Sequence, residues 1–173
     1  RLKTRYPGLP IMVSFTGMEL LDGYTGADHT EQMQVLTDMM PYSDHFGLSM
    51  HIFISSLMAD SIPGAVLDDI LNLRQGKTVA ICEGSYPADT FSVDGVFFDG
   101  SPDKQVEYFT KIFARLDTIP TSIMIDFLIR DYEALWQSIG APDDFTKLWK
   151  ETGLYDEHGA VRPARDIWRS RLK

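Results

Sequence analysis

The chain holds a single cysteine, Cys82, so no intramolecular disulfide can brace it and the redox compartment stays open. Long hydrophobic runs are also missing. A bilayer helix requires roughly 20 apolar residues, and the longest runs here are broken by Ser, Asp or Gly, so no membrane partner is expected. Positive charge is scarce: 16 Lys and Arg stand against 25 Asp and Glu, a formal net charge of −9. Binding a phosphate backbone needs clustered cations, so no nucleic-acid partner is expected either. The one basic cluster, Arg162 to Lys173, reads as the solvated face of a terminal helix, where cations suit the C-terminal dipole. The four histidines, His29, His45, His51 and His158, lack the close pairing of zinc sites, and no metal or other cofactor is expected. There is no Gly-rich phosphate loop, and Gly84-Ser85-Tyr86-Pro87 lacks the second glycine of a nucleophile elbow, which argues against an α/β hydrolase or a phosphate-binding protein. The chain opens on Arg1-Leu2-Lys3 without Met or a charged-then-apolar leader, so a cut N-terminus is the expectation.

What is present is enough for a core. With 173 residues, 44% hydrophobic, the expectation is one domain over 1–173. Strand-like segments recur, each followed by a helix-like one. Ile11 to Phe15 precedes a helix after Asp28, with Glu31 completing a capping box and Met33, Leu36 and Met40 at helical spacing. Gly47 to Ile54 precedes a helix opening at Pro63 that buries Val66, Leu67, Ile70 and Leu71 and stops before Gly76. The apolar run Val79 to Cys82, ending in Glu83 and Gly84, precedes a helix from Ser101-Pro102 with Val106, Phe109, Phe113 and Leu116 on one stripe. Ser122 to Leu128 precedes a helical stretch around Tyr132 to Ile139 and a last helix from about Pro163 to Leu172. Strands alternating with amphipathic helices mean βαβ units and a parallel sheet. A complete (β/α)8 barrel takes about 250 residues, so the α/β fold expected here is a parallel (βα)4 half of such a barrel.

Glu83 is the leading candidate for catalysis. It is a lone carboxylate at the carboxyl end of a continuously apolar strand, where parallel barrels keep their chemistry. The alternative is a Glu that faces solvent or caps the next helix. Cys82, within the apolar run and far from any His in sequence, reads as a buried structural thiol.

Three stretches carry a family resemblance across essentially the whole chain: Asp44-His45-Phe46-Gly47-Leu48-Ser49-Met50-His51, Ile81-Cys82-Glu83-Gly84-Ser85-Tyr86-Pro87, and Gly153-Leu154-Tyr155-Asp156-Glu157 with Arg162-Pro163-Ala164-Arg165-Asp166-Ile167-Trp168. Together they resemble the C-terminal half of the retaining TIM-barrel glycoside hydrolases, a clan that includes cellulases, mannanases and endo-galactanases. The resemblance implies a carbohydrate substrate, with Glu83 as nucleophile and His51 orienting it. It also implies a secreted or periplasmic setting. Tyr86 would line the sugar site or pack on the next helix, and Phe127 stands where the clan has a Trp platform. His51 could instead be a core histidine satisfied by a backbone carbonyl. A retaining enzyme needs a second carboxylate, and the resemblance puts that acid/base after the fourth strand, upstream of Arg1. Glu19 is the nearest substitute, with Asp126 and Asp131 of similar standing. The expected partner is the chain's own N-terminal half or a second copy. The competing reading is a noncatalytic half barrel that binds a ligand or self-associates.

Overall fold

A computed structural model describes residues 2–55, 64–141 and 145–172. The described residues form six strands: β1 (Met12–Thr16), β2 (His45–Met50), β3 (Thr78–Gly84), β4 (Phe91–Val93), β5 (Val96–Phe98) and β6 (Thr121–Asp126). Four of them build one parallel sheet in the order β1-β2-β3-β6, and β4 and β5 make a separate antiparallel hairpin. The helices are α1 (Leu2–Arg5), α2 (His29–Met39), α3 (Gly64–Asn72), α4 (Pro102–Leu116), α5 (Glu133–Ser138) and α6 (Ala164–Arg169). No described helix is long and apolar enough to cross a membrane.

The sheet is covered on one face. Phe15 of β1, Phe46, Leu48 and Met50 of β2, and Val79 and Ile81 of β3 are buried in one hydrophobic cluster with the inner stripes of the helices. Those stripes follow the helical period: Val66, Leu67, Ile70 and Leu71 in α3, and Phe109, Ile112, Phe113 and Leu116 in α4. The helix starts are set by side chains: Asp28 accepts from the Glu31 N–H at 3.1 Å, and Ser101 accepts from the Lys104 N–H at 3.1 Å. Alternation sends the other residues of each strand to the opposite face. That face is open, with Met12, Ile123 and Ile125 exposed on it.

The structure trims the expected elements. The second strand stops at Met50 rather than Ile54, because His51 leaves the extended region (φ −91°, ψ 64°) and starts a 3-10 turn over Ile52–Ile54. The last strand ends at Asp126, and the terminal helix is only Ala164–Arg169. The expected helix start at Pro63 lies outside the described residues.

The hairpin is an addition that the pattern reading missed. Its turn is Asp94-Gly95, with φ at 49° and 79°. Both residues are left-handed, as the tight turns that match strand twist require, and Asp-Gly between apolar alternations is the strongest local hairpin signal. Glycine also decides the approach of β1 to β2. A Cβ on Gly47 would sit 2.6 Å from the Val13 carbonyl oxygen and 2.9 Å from Met12 Cγ. Gly47→Ala should therefore cost about 1–3 kcal/mol and lower the melting temperature by roughly 3–10 °C. Thermal unfolding followed by circular dichroism checks this; an unchanged melting temperature would mean that β1 is free to move away.

Candidate active site

Regular alternation would place Glu83 on the same side as Val79 and Ile81, under the helices. It does not go there. Leu48 pairs with Ile81, but the next residue, Ser49, pairs with Glu83, so Cys82 is an extra residue in a β-bulge. The bulge resets the alternation and turns Glu83 to the face of Ser49, whose hydroxyl lies 3.4 Å from that of Ser14. This is the open face of the sheet, and the Glu83 side chain is 50% exposed there. Cys82 also reaches that face, with its Sγ 3.5 Å from Met12 Sδ. It is only half-buried, so the expected buried thiol is corrected by the same bulge.

His51 holds Glu83, and Ser85 holds His51. His51 Nε2 lies 3.4 Å from Glu83 Oε2, a long hydrogen bond, and His51 Nδ1 lies 2.8 Å from the Ser85 hydroxyl. The partners of His51 are thus side chains, not the backbone carbonyl of a core histidine. Its side chain is 6% exposed. Burial pushes its pKa below the ordinary value, while the Glu83 carboxylate pulls the other way. A neutral imidazole carries one N–H, and a carboxylate can only accept, so Nε2 donates to Glu83 while Nδ1 accepts from Ser85. The site therefore presents a carboxylate steadied by a neutral donor. Three rings fix the imidazole edge-on, those of Phe53 (5.9 Å), Phe127 (6.1 Å) and Trp149 (5.7 Å).

The other expected residues separate. Phe127, directly after β6, is exposed and stands against His51 rather than in the core. Tyr86 is fully buried, tilted on Tyr108 at 5.8 Å and edge-on to Phe53 at 6.1 Å, so the expectation that it lines a sugar site gives way to its packing alternative. Burial also pushes its hydroxyl up to about 12. Glu19 lies on a 3-10 turn (Gly17–Leu20) after β1, at the correct end of the sheet, but no hydrogen bond or ion pair joins it to Glu83, His51 or Ser85. Asp131 is buried against Arg162 at 2.5 Å and accepts from the Gly153 N–H, so it braces the C-terminal segment and offers no second carboxylate. Burial raises it to about 6 against the pull of Arg162.

Asp126 is the clearest correction. It sits at the end of β6 opposite Gly84, on the helix side of the sheet. There it borders a cavity of about 480 Å³ with Leu154 and Trp168, and neither carboxylate oxygen has a hydrogen-bond partner. Burial pushes it up to about 8, so it is a neutral acid facing away from Glu83.

Ser85 and Trp149 were not anticipated. Ser85 adjoins Glu83 in sequence, and only the bend that brings His51 over it shows the role. Trp149 comes from a 3-10 segment (Phe145–Trp149) far along the chain, where no local pattern marks it.

No protein-family model matches the chain, and no curated protein is similar to it in sequence. Solved structures are similar. A family 2 glycoside hydrolase, a β-galacturonidase from Eisenbergiella tayi bound to glycerol, matches 99% of this chain and 29% of its own at TM-score 0.55 and 13% identity. Xylanase 10B from Thermotoga petrophila in complex with xylobiose matches 97% of this chain and 47% of its own, at TM-score 0.53 and 18% identity. The family 53 glycoside hydrolase catalytic domain from Ignisphaera aggregans matches 99% and 49%, at TM-score 0.53 and 15% identity. What these structures share with the chain is the fold, a partial (β/α)8 barrel. The half barrel spans about half the length of the last two structures and less of the first, and at these identities the likeness concerns the fold alone.

Asp126 supplies a test of which face a carboxylate occupies. Its folded pKa of about 8 lies far above the ordinary value near 3.9. The folded half barrel then holds a proton that the unfolded chain releases, so this group's contribution is fully present below about pH 4 and is lost as pH rises towards 8. Asp126→Asn should raise the melting temperature at pH 8 by roughly 3 °C or more and change it little at pH 4. Equal effects at both pH values would show that Asp126 ionises normally.

Proposed function

We propose that this chain is the C-terminal part of a retaining glycoside hydrolase that cleaves polysaccharide glycosidic bonds, with Glu83 as its nucleophile. The observation that carries the reading is the bulge that delivers Glu83 to the open face at the carboxyl ends of the strands, where His51 donates to it. A nucleophile must be ionised, and a donor to the charged form favours ionisation. His51 does this as a neutral group, so it adds no cation that would repel the positive charge developing on the sugar. In the first step Glu83 attacks the anomeric carbon, the glycosidic bond breaks, and the leaving oxygen takes a proton from an acid. In the second step water, activated by the same group as base, releases the sugar with retained configuration.

Such an acid/base must stand about 5–5.5 Å from the nucleophile. Asp126 faces the helix side of the sheet, Asp131 is held by Arg162, and Glu19 shares no hydrogen bond or ion pair with Glu83, so the reading assigns this role to an N-terminal half of the barrel. The exposed apolar residues on the open face, Met12, Ile123 and Ile125, support such a partner, since an unpaired sheet face and edge strands favour association. Pairing of two copies would cover the same face but bring two nucleophiles together without an acid.

Co-expression with the polypeptide encoded immediately upstream of Arg1 tests the reading. The complex should hydrolyse a β-linked polysaccharide with retention, read by proton NMR of the first-formed anomer. A 2-deoxy-2-fluoro glycosyl donor should label Glu83, and Glu83→Gln should lower the rate by at least about a thousandfold. Inversion, or a Glu83→Gln complex of undiminished rate, would contradict the assignment, and a stable homodimer without hydrolysis would favour the noncatalytic reading.

A further inference from the structure

The parallel sheet ends at β6, and no described strand pairs with it on the side away from β3. α6 follows β6 in the chain and packs on α4 through Trp168, whose ring meets Phe109 edge-on at 5.6 Å and Phe113 at 5.2 Å. Between β6 and α6 lies the cavity of about 480 Å³ that Asp126 borders, lined also by Leu154, Trp168 and Arg169. Its rim is apolar and uncovered. Ile129, just past β6, is 70% exposed there, and Leu172, just past α6, is 74% exposed.

Large apolar side chains standing out beside a shaped apolar cavity mark a contact surface, and an unpaired edge strand next to them invites further chain. The charges on α6 point the same way. Arg162 pairs with Asp131, Arg165 with Asp166 at 3.1 Å and Arg171 with Asp117 at 2.5 Å, whereas Arg169 makes no hydrogen bond or ion pair among the described residues. The surface therefore offers an apolar strip with one open cation on its edge. In a (β/α)8 barrel another parallel strand lies past each edge of such a half, and the helix that follows it joins the same outer layer. The chain spans about half the length of the xylanase and of the family 53 domain whose fold it shares.

We propose that this cavity seats the first helix of the N-terminal half, whose apolar stripe covers Ile129, Leu154, Trp168 and Leu172 while an acidic residue on its flank pairs with Arg169. The two halves then meet along a seam in the helix layer as well as across the open face of the sheet. A small ligand held inside the cavity would leave Ile129 and Leu172 in water, and a helix laid along the rim covers both. The choice of occupant rests on the proposed N-terminal half, but docking does not require turnover.

Co-expression with an affinity-tagged form of the polypeptide encoded immediately upstream of Arg1 tests the seam, read as the amount of this chain recovered with the tag. Ile129→Asp and Arg169→Glu change exposed side chains and should leave the circular dichroism spectrum of the chain alone unchanged. Each should lower recovery by about fivefold or more. Tyr42→Asp, at a position also 70% exposed but ahead of β2 at the amino ends of the strands, should leave it unchanged. In the wild-type complex, amide hydrogen exchange over Ala164–Arg169 should be slower than in the chain alone. Recovery equal in all four chains, unchanged exchange over α6, no complex at all, or a homodimer broken by the same two variants would each overturn the proposal. A complex that depends on Ile129 and Arg169 but hydrolyses nothing would sink the glycosidase reading and leave the seam standing; hydrolysis by a complex indifferent to both variants would do the reverse.

Discussion

A β-strand deals its side chains alternately to two faces, and one extra residue at Cys82 breaks that alternation just before Glu83. Without the bulge, the carboxylate would follow Val79 and Ile81 into the helix-covered layer. An unpaired charge there costs on the order of several kcal/mol, or else the group takes up a proton. The neighbouring strand shows that outcome: Asp126, opposite Gly84, faces the helix side, lacks partners and is pushed up to about 8. Two acids at one end of one sheet thus meet different surroundings because only the first is re-aimed. One is exposed and held by a donor, and the other is a buried neutral acid.

The rest of the site is built to keep that exposed carboxylate in place. β2 ends one residue before His51, which frees the ring to turn towards Ser85 and Glu83. Buried Gln105 donates from one amide nitrogen to the carbonyls of Tyr86, Thr152 and Gly153, tying the loop after β3 to the C-terminal segment. Arg162 adds a second tie, reaching Asp89 in that loop at 3.0 Å and Asp131 beyond β6. The segment containing Gly153 and Arg162 therefore contributes packing and bracing around the loops that surround Glu83.

Much of the fold was legible in the sequence because it rests on periodicity. Apolar runs marked the four parallel strands, and the stripes in α3 and α4 marked which helix faces are buried. Glu83 was legible for the same reason, as a polar residue at a strand end, whereas His51, expected inside the strand Gly47 to Ile54, was marked by the family resemblance alone. A bulge leaves no trace in such a pattern, so the exposure of Cys82 and the direction of Glu83 could not be read. Strand parity likewise hid the sidedness of Asp126, since the register of β6 depends on its partner. Tyr86 could be read as lining a sugar site or packing on the next helix, and the turn after Gly84 decides for the helix by setting it against Tyr108 of α4. The hairpin has its own local signal in Asp94-Gly95, but its two three-residue strands lie outside the βαβ alternation that sets the parallel sheet.

The direction of the residue at position 83 is the claim on which the account turns, and thiol accessibility measures it. In a Cys82→Ala, Glu83→Cys double variant the only thiol stands at that position. The account predicts that a water-soluble disulfide reagent modifies it in the native protein without denaturant, whereas the thiol of a Cys82→Ala, Ile81→Cys variant reacts only on unfolding. A thiol at position 83 that stays protected until the chain unfolds would put Glu83 beneath the helices and contradict the account.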